Sequence, residues 1–430
     1  MKAIKGKRFR RGIHIADKKQ YAADAYIEVA PVPQILSISM SQHIGKPCQI
    51  LVQVGDEVKQ GQLIGKADGF VSANVYSGVS GKVIGIEKRA NPRGMVSDYV
   101  VIENDGQYDS VCLEPLADRE PNTIKERIRE AGIVGMGGAG FPTAVKLSPS
   151  TPVDTLVING AECEPYLTCD YRLMIEKTDE VVNGIRLLAK ALGVDKIIVG
   201  IEANKPKAIE LFEKYDDLTI VTLKKAYPMG SEKHLIYCCT GREVHVGKLP
   251  ADAGCVVQNI ATAYAVYEAV ELNKPLYERV LTVSGECVKE PKNLLVKFGT
   301  SFQYLLDYCK YDNTNLAALI AGGPMMGSTM ISSDYYTRKT DSGILALDDT
   351  QADFIAPSPC ISCGRCASVC PMHLLPMSID FYTQAGDYQS AAKYGGVLNC
   401  IECGCCAYVC PARRSLLQSI TLCKSQLRKK

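Results

Sequence analysis

Short alternations of apolar and polar residues dominate the first hundred positions. Ile50, Val52 and Val54 alternate with polar neighbours up to a Gly55-Asp56 turn. Val58 opens the next run, which Gly61, Gly65 and Gly69 punctuate. Val71, Val75, Val79, Val83 and Ile86 follow, with turns at Ser77-Gly78 and Ser80-Gly81. A period of two between turn residues predicts a small all-β module over about residues 35–87. The period then lengthens. Residues 122–131 read as a charged amphipathic helix that Gly132 ends. Strands are expected at 155–159, 196–201 and 218–223, and helices at 173–192, at 205–215 and around Leu235 and Ile236. Residues 256–270 are apolar with helical spacing and are expected to form a buried helix. Strands alternating with helices predict a parallel α/β sheet. From Arg279 the pattern returns to β, turns at Glu290-Pro291, and continues with a short helix at 302–308 and a strand at 316–320. That is a small α+β module. Residues 390–394 lie on a further helix.

Length and charge narrow the class. A chain of 430 residues, 47% hydrophobic, can bury several cores, about three by ordinary domain size. The pattern divides it into four segments: 1–115, 116–272, 273–350 and 351–430. A net charge of +2 provides no bulk field for nucleic acid or a membrane surface. No apolar run reaches the roughly 18 residues of a spanning helix. The opening MKAIKGKRFRRGIHIADKK is basic but lacks the apolar centre of a signal peptide. It is expected to be a solvated arm, with docking on a membrane-bound partner or an anionic surface as the alternative.

Cysteine spacing carries the strongest chemistry. Cys360, Cys363, Cys366 and Cys370 precede Pro371; Cys400, Cys403, Cys406 and Cys410 precede Pro411. Each half reads C-x-x-C-x-x-C-x-x-x-C-P. Four thiolates at this spacing suit a cubane iron–sulfur cluster, with the fourth cysteine crossing to the other cluster. One 4Fe–4S cluster is therefore expected on Cys360, Cys363, Cys366 and Cys410, the other on Cys400, Cys403, Cys406 and Cys370. C-x-x-C pairs also occur in zinc sites and redox dithiols, but neither needs this full pattern twice. Cys405 breaks the spacing and is not assigned as a ligand. The other cysteines are scattered, which fits free thiols in a reducing compartment.

Two stretches in the α/β segment suit a ligand. Gly135-Met136-Gly137-Gly138-Ala139-Gly140-Phe141-Pro142-Thr143 contains G-x-G-x-x-G, but a helix precedes it and Phe-Pro follows it, so the dinucleotide fingerprint is rejected. Glycines still let backbone lie against a flat or phosphorylated ligand, and Lys146 offers a phosphate partner. A plain glycine turn is the alternative. The 155–159 strand ends in Gly160-Ala161-Glu162-Cys163-Glu164, where α/β folds place ligands. Its glutamates could hold ribose hydroxyls or stand as exposed loop charges.

The stretch VGDEVKQGQLIGKADGFVSANVYSGVSGKVIGIE resembles the barrel-sandwich fold of biotinyl and lipoyl carriers. Residues 68–73, at the carrier hairpin, hold no lysine, so a structural or docking role is expected. In order, the carrier-like module, the glycine loop, INGAECEPYLTCDYRLM, TGREV, ADAGCVVQNIATAYAV and the twin cysteine motifs resemble the C subunit of Rnf complexes, membrane ion-translocating ferredoxin:NAD oxidoreductases. The middle is similar to the FMN-binding subunit of respiratory complex I. That resemblance implies FMN and NAD(H) at Gly137, Gly138, Gly140, Phe141 and Lys146, at Asn159, Glu162 and Glu164, at Tyr227, Gly230 and Glu232, and at Asn259. Ala161 and Ser231 depart from the acidic residues of that family, and Gln258 from its first asparagine. The resemblance further implies a β-grasp-like module after Arg279 and a ferredoxin-like module at the end. It implies an enzyme subunit, peripheral on the cytoplasmic face of the membrane, exchanging electrons with ferredoxin through partner subunits and binding no nucleic acid. A flavin-free electron-transfer scaffold and a subunit of a soluble NADH-dependent flavin enzyme are the competing readings.

Overall fold

The structure is a computed structural model that describes residues 3–352 and 355–429. Its N-terminal module packs two antiparallel sheets face to face. One joins Ile35–Ser39, Val96–Asn104, Gly81–Ala90 and Glu57–Val58; the other joins Gln49–Ile50, Leu63–Lys66 and Val75–Tyr76. Leu36, Ile38, Ile64, Val75, Val83, Val100 and Ile102 fill the space between them. The module runs on to Asn104, past the expected end. Asn91 accepts the amides of Arg93 and Met95 and so turns the chain between its two longest strands.

The α/β segment is built on five parallel strands in the order Ile4–Lys5, Thr219–Leu223, Lys196–Glu202, Thr155–Gly160 and Cys255–Asn259. Two expectations need correction here. Residues 255–259 are an edge strand, not the start of a helix; the helix is Ile260–Glu271. An apolar run buried on every side carries no period to separate strand from helix, and all five strand residues are buried. The expected helix at 173–192 is two helices, Cys169–Glu176 and Thr178–Leu192, broken where Lys177 leaves helical geometry. The Thr178 hydroxyl bonds back to the Met174 carbonyl at that break.

A third correction concerns the basic N-terminus, which is not a solvated arm. Ile4 and Lys5 pair in register with Val221 and Thr222. Ile13 bridges Tyr227, and Lys19 is buried. The arm continues as Ile27–Val29, the edge of a six-stranded mixed sheet whose other strands lie between residues 278 and 348. The helix Phe302–Tyr308 and its Phe302, Leu305 and Leu306 close the core of that module.

The last module is helical. Asp380, on Pro376–Gln384, accepts Arg414 at 2.7 Å and the Ser419 hydroxyl at 2.6 Å, which ties both cysteine motifs together. It packs on the α/β segment through the arm. Arg11 donates to the Ala367 carbonyl at 2.8 Å, and Gly12 N to that of Val369 at 2.9 Å. Among the described residues, no helix is long and apolar enough to cross a membrane.

Candidate redox site

The site is assembled at the carboxyl ends of the parallel strands, where backbone must leave the sheet and polar groups collect. Asn159 and Asn259 are register partners on adjacent strands. Asn159 donates to the Gly230 carbonyl at 2.9 Å and accepts the Ala161 amide at 3.1 Å. Asn259 caps its own helix, accepting Ala261 N at 2.9 Å, and donates to Asp170 at 2.6 Å. Asp170 N in turn donates to Glu162 at 2.7 Å.

The glycine loop lies over this end of the sheet. Met136 N donates to the Thr262 hydroxyl at 3.0 Å, and Gly135 N to the Phe141 carbonyl at 2.8 Å. A Cβ on Gly137 would fall 2.8 Å from the Asn259 amide nitrogen. Gly140 adopts φ +75°, and its Cβ would fall 2.7 Å from Thr340. Gly138 faces open space, and Gly137, Gly138 and Phe141 are exposed. The loop is thus pressed onto Asn259 on one side and open on the other, a bare backbone surface that suits a flat, phosphorylated ligand such as FMN. Lys146 is ion-paired with Glu232.

The loop after Asn159 carries the acids. Glu162 sits at φ +44° and Tyr166 at φ +66°, left-handed conformations that turn the chain sharply. The Glu162 side chain is 4% exposed, with one oxygen 3.7 Å from Lys19. Burial pushes its carboxyl up to about 7 against the opposing pull of Lys19 and Lys205. Glu164 is also pushed up to about 7 by burial, although Met325 N and the Tyr227 hydroxyl donate to it at 3.0 and 3.3 Å. Cys163 accepts Gly230 N at 3.3 Å. The two glutamates are therefore enclosed, not exposed loop charges. Sequence reasoning missed Lys19, which donates to the carbonyls of Glu164, at 3.0 Å, and Leu167. It also missed Lys205, which donates to the Ala161 carbonyl at 2.6 Å. Neither lysine has a local signal; each reaches the loop from a distant segment.

The eight cysteines gather into two pockets. Cys370, Cys400, Cys403 and Cys406 line one; Cys360, Cys363, Cys366 and Cys410 line the other. Each pocket takes three of the eight from one motif and the fourth from its neighbour, and Cys405 also lines the first. The motifs fold alike. Ser362 and Glu402 have φ +55° and +59°, Gly364 and Gly404 +73° and +76°, and His373 and Arg413 +57° and +52°. Amides of Ser362, Glu402 and Leu374 donate to Cys360, Cys400 and Cys370 at 3.3–3.4 Å, which favours thiolates. Among the described residues, no three His, Cys, Asp or Glu side chains converge on a single metal ion.

The pockets differ in setting. Cys360 and Cys363 are exposed. Cys403 and Cys405 are buried in one cluster with Ile13 and Tyr227, against Cys163 and Met325. A Cβ on Gly404 would meet the Met325 carbonyl at 2.8 Å, and Met325 N donates to Glu164. The inner pocket therefore touches the same residues that line the acidic loop. Cys405 lies inside this contact, fully buried.

Three family models match successive stretches of the chain. Residues 7–107 match the RnfC barrel sandwich hybrid domain, 128–268 the Nuo51 FMN-binding domain and 352–411 a 4Fe-4S dicluster domain. The chain is 48% identical to the C subunit of the proton-translocating ferredoxin:NAD(+) oxidoreductase complex of Clostridium ljungdahlii, over 98% of this chain and 94% of that one. It is 43% identical to the C subunit of the Na(+)-translocating ferredoxin:NAD(+) oxidoreductase complex of Acetobacterium woodii, over 99% and 98%. In fold it is similar to a chain of an NAD+-reducing [NiFe]-hydrogenase in the H2-reduced state, with a TM-score of 0.50 and 19% identity over 74% of this chain and 63% of that one. Identity at this level along nearly the whole length makes the chain a member of the family of Rnf complex C subunits.

Proposed function

We propose that the chain is the peripheral NAD(H)-reacting subunit of a membrane ion-translocating ferredoxin:NAD oxidoreductase. It passes electrons between NAD(H), FMN and two 4Fe–4S clusters. Its partners are the other subunits of that complex, through which it exchanges electrons with ferredoxin, and its place is the cytoplasmic face of the membrane.

FMN, when bound, exchanges a hydride with nicotinamide and single electrons with a cluster, chemistry that belongs to the cofactor. The chain's own residues hold and orient. Gly137, Gly138 and Gly140 supply the bare backbone, with Phe141 at its exposed edge. Asn159, Gly230 and Asn259 hold the strand ends to the surrounding loops. Glu162, Glu164 and Tyr227 form an enclosed polar wall, and Lys146 with Glu232 closes the side. No side-chain acid or base is required for hydride transfer. The two cysteine sets differ in burial: Cys370, Cys400, Cys403 and Cys406, packed toward Tyr227, would hold the cluster that exchanges electrons with the flavin, while Cys360, Cys363, Cys366 and Cys410, two of them exposed, would hold the one that faces a partner.

The observation that carries this reading is the contact between the inner cysteine pocket and the acidic loop through Tyr227, Met325 and Glu164. The test is to reduce the purified chain with dithionite, remove the reductant and mix it with NAD. Formation of NADH as the clusters reoxidise supports the reading; clusters that stay reduced with flavin bound count against it.

A further inference from the structure

We propose that Arg279 and Lys339 are positioning residues through which the β-grasp-like module makes the glycine loop selective for a phosphorylated flavin over the same flavin without phosphate. The proposal rests on the assignment of the glycine loop as the flavin site. Both residues lie outside the 128–268 stretch that matches the FMN-binding domain.

Lys339 is fully buried, and its ammonium donates to the carbonyls of Gly132, at 2.7 Å, and Asn74, at 2.5 Å. Arg279 is 3% exposed and donates to the carbonyls of Met136, at 3.2 Å, and Lys339, at 2.5 Å. Gly132 and Met136 bracket the start of the glycine loop. Gln42 of the N-terminal module accepts Lys339 N at 3.0 Å, and Thr340 abuts Gly140. Three modules thus meet behind this loop, and the two cations are the pins.

Carbonyls satisfy the hydrogen bonds of these cations but not their charge. Among the described residues, no carboxylate lies within ion-pairing distance of Lys339 or Arg279. Asp170 feels the Arg279 charge from farther off, and burial raises that carboxyl toward its neutral form. A buried cation without a counter-charge is costly, and an anion on the open face of the loop would offset that cost. Lys146, the cation that sequence reasoning offers to a phosphate, is already neutralised by Glu232. The helix beneath the loop is capped by Asn259. The uncompensated positive charge at the loop therefore comes from behind it, and in a low-dielectric interior it acts through the intervening backbone. Burial pulls the Lys339 ammonium down to about 8, and the titratable groups facing it are Cys48, raised by burial, and His43, lowered by it.

The test uses the full chain stripped of flavin, titrated with FMN and with riboflavin by fluorescence quenching. Wild type is expected to prefer FMN. Lys339→Met should reduce that preference by about tenfold with riboflavin affinity unchanged, and Lys339→Arg should restore it. If Lys339→Met weakens both flavins equally, or keeps the wild-type ratio, the lysine is a structural pin only and the proposal is overturned. Should that variant fail to fold, wild type is titrated from pH 7 to 9.5. A preference that falls through pH 8 supports the proposal; a flat one overturns it. A wild-type chain that binds neither flavin overturns the flavin-site assignment itself, a different failure.

Discussion

Asn159 and Asn259 stand opposite one another in the register of two parallel strands, and each ties its strand end to a different loop. Asn159 holds Gly230 and Ala161; Asn259 holds the first turn of its helix and Asp170. The glycine loop rests directly on the second of them. The floor of the site is therefore an in-register pair of asparagines.

Asn259→Ala should cost about 2 kcal/mol, combining a lost helix cap with an unpartnered Asp170. Flavin retention should fall with it. Asn259→Asp keeps the cap but sets a carboxylate against Asp170, so thermal melts should place it at or below the alanine variant.

Lys19→Met leaves a buried carboxylate and two buried carbonyls without their cation, and a loss of about 3 kcal/mol is expected. Lys19→Met/Glu162→Gln removes both charges and should recover part of it. A double-mutant cycle from urea unfolding checks the coupling; additive losses would show that Lys19 braces the loop only through the carbonyls.

The raised carboxyl of Glu162 sets a pH dependence. An unfolded glutamate titrates near 4.3, and this one, held up by burial, titrates at about 7 when folded. Folding therefore takes up a proton between those values, so the penalty is absent below about pH 4 and complete above about pH 7. Glu162→Gln should flatten the fall in stability over that window, by on the order of 3 kcal/mol at its upper end. Melting curves of the flavin-free chain at pH 5 and pH 8 compare the two; equal slopes would contradict the assignment.

How much of this was legible in the sequence depended on how local each cause was. The cysteine grouping comes from spacing within each motif, and the structure gathers those eight cysteines in two pockets, with Cys405 added to one of them. The glycine loop could be proposed as a ligand surface because four glycines fall within residues 135–140. The strand at 255–259 could not be separated from the helix after it, since Val256 and Val257 are as apolar as the helix residues from Ile260 onward. The basic arm looked solvated because charge is a local property, whereas its pairing with Val221 and its burial of Lys19 depend on partners some 145 to 217 residues away. Arg279 and Lys339 were illegible for the same reason.

The inner and outer cysteine pockets should behave differently. Cys403→Ser should interrupt transfer between flavin and the outer cluster, so that dithionite-reduced protein no longer discharges that cluster to NAD. Cys363→Ser should leave the inner cluster discharging at its normal rate. Each variant should lose iron, and low-temperature electron paramagnetic resonance identifies which signal remains. The reverse pattern would exchange the assigned order of the clusters.

The most direct test of the account is an anaerobic determination of flavin, iron and sulfide per chain, with spectra before and after NADH. The account predicts about one FMN and about eight irons, with the flavin absorbance bleached by NADH. Eight irons with no flavin would contradict it, and would leave an electron-transfer scaffold in its place.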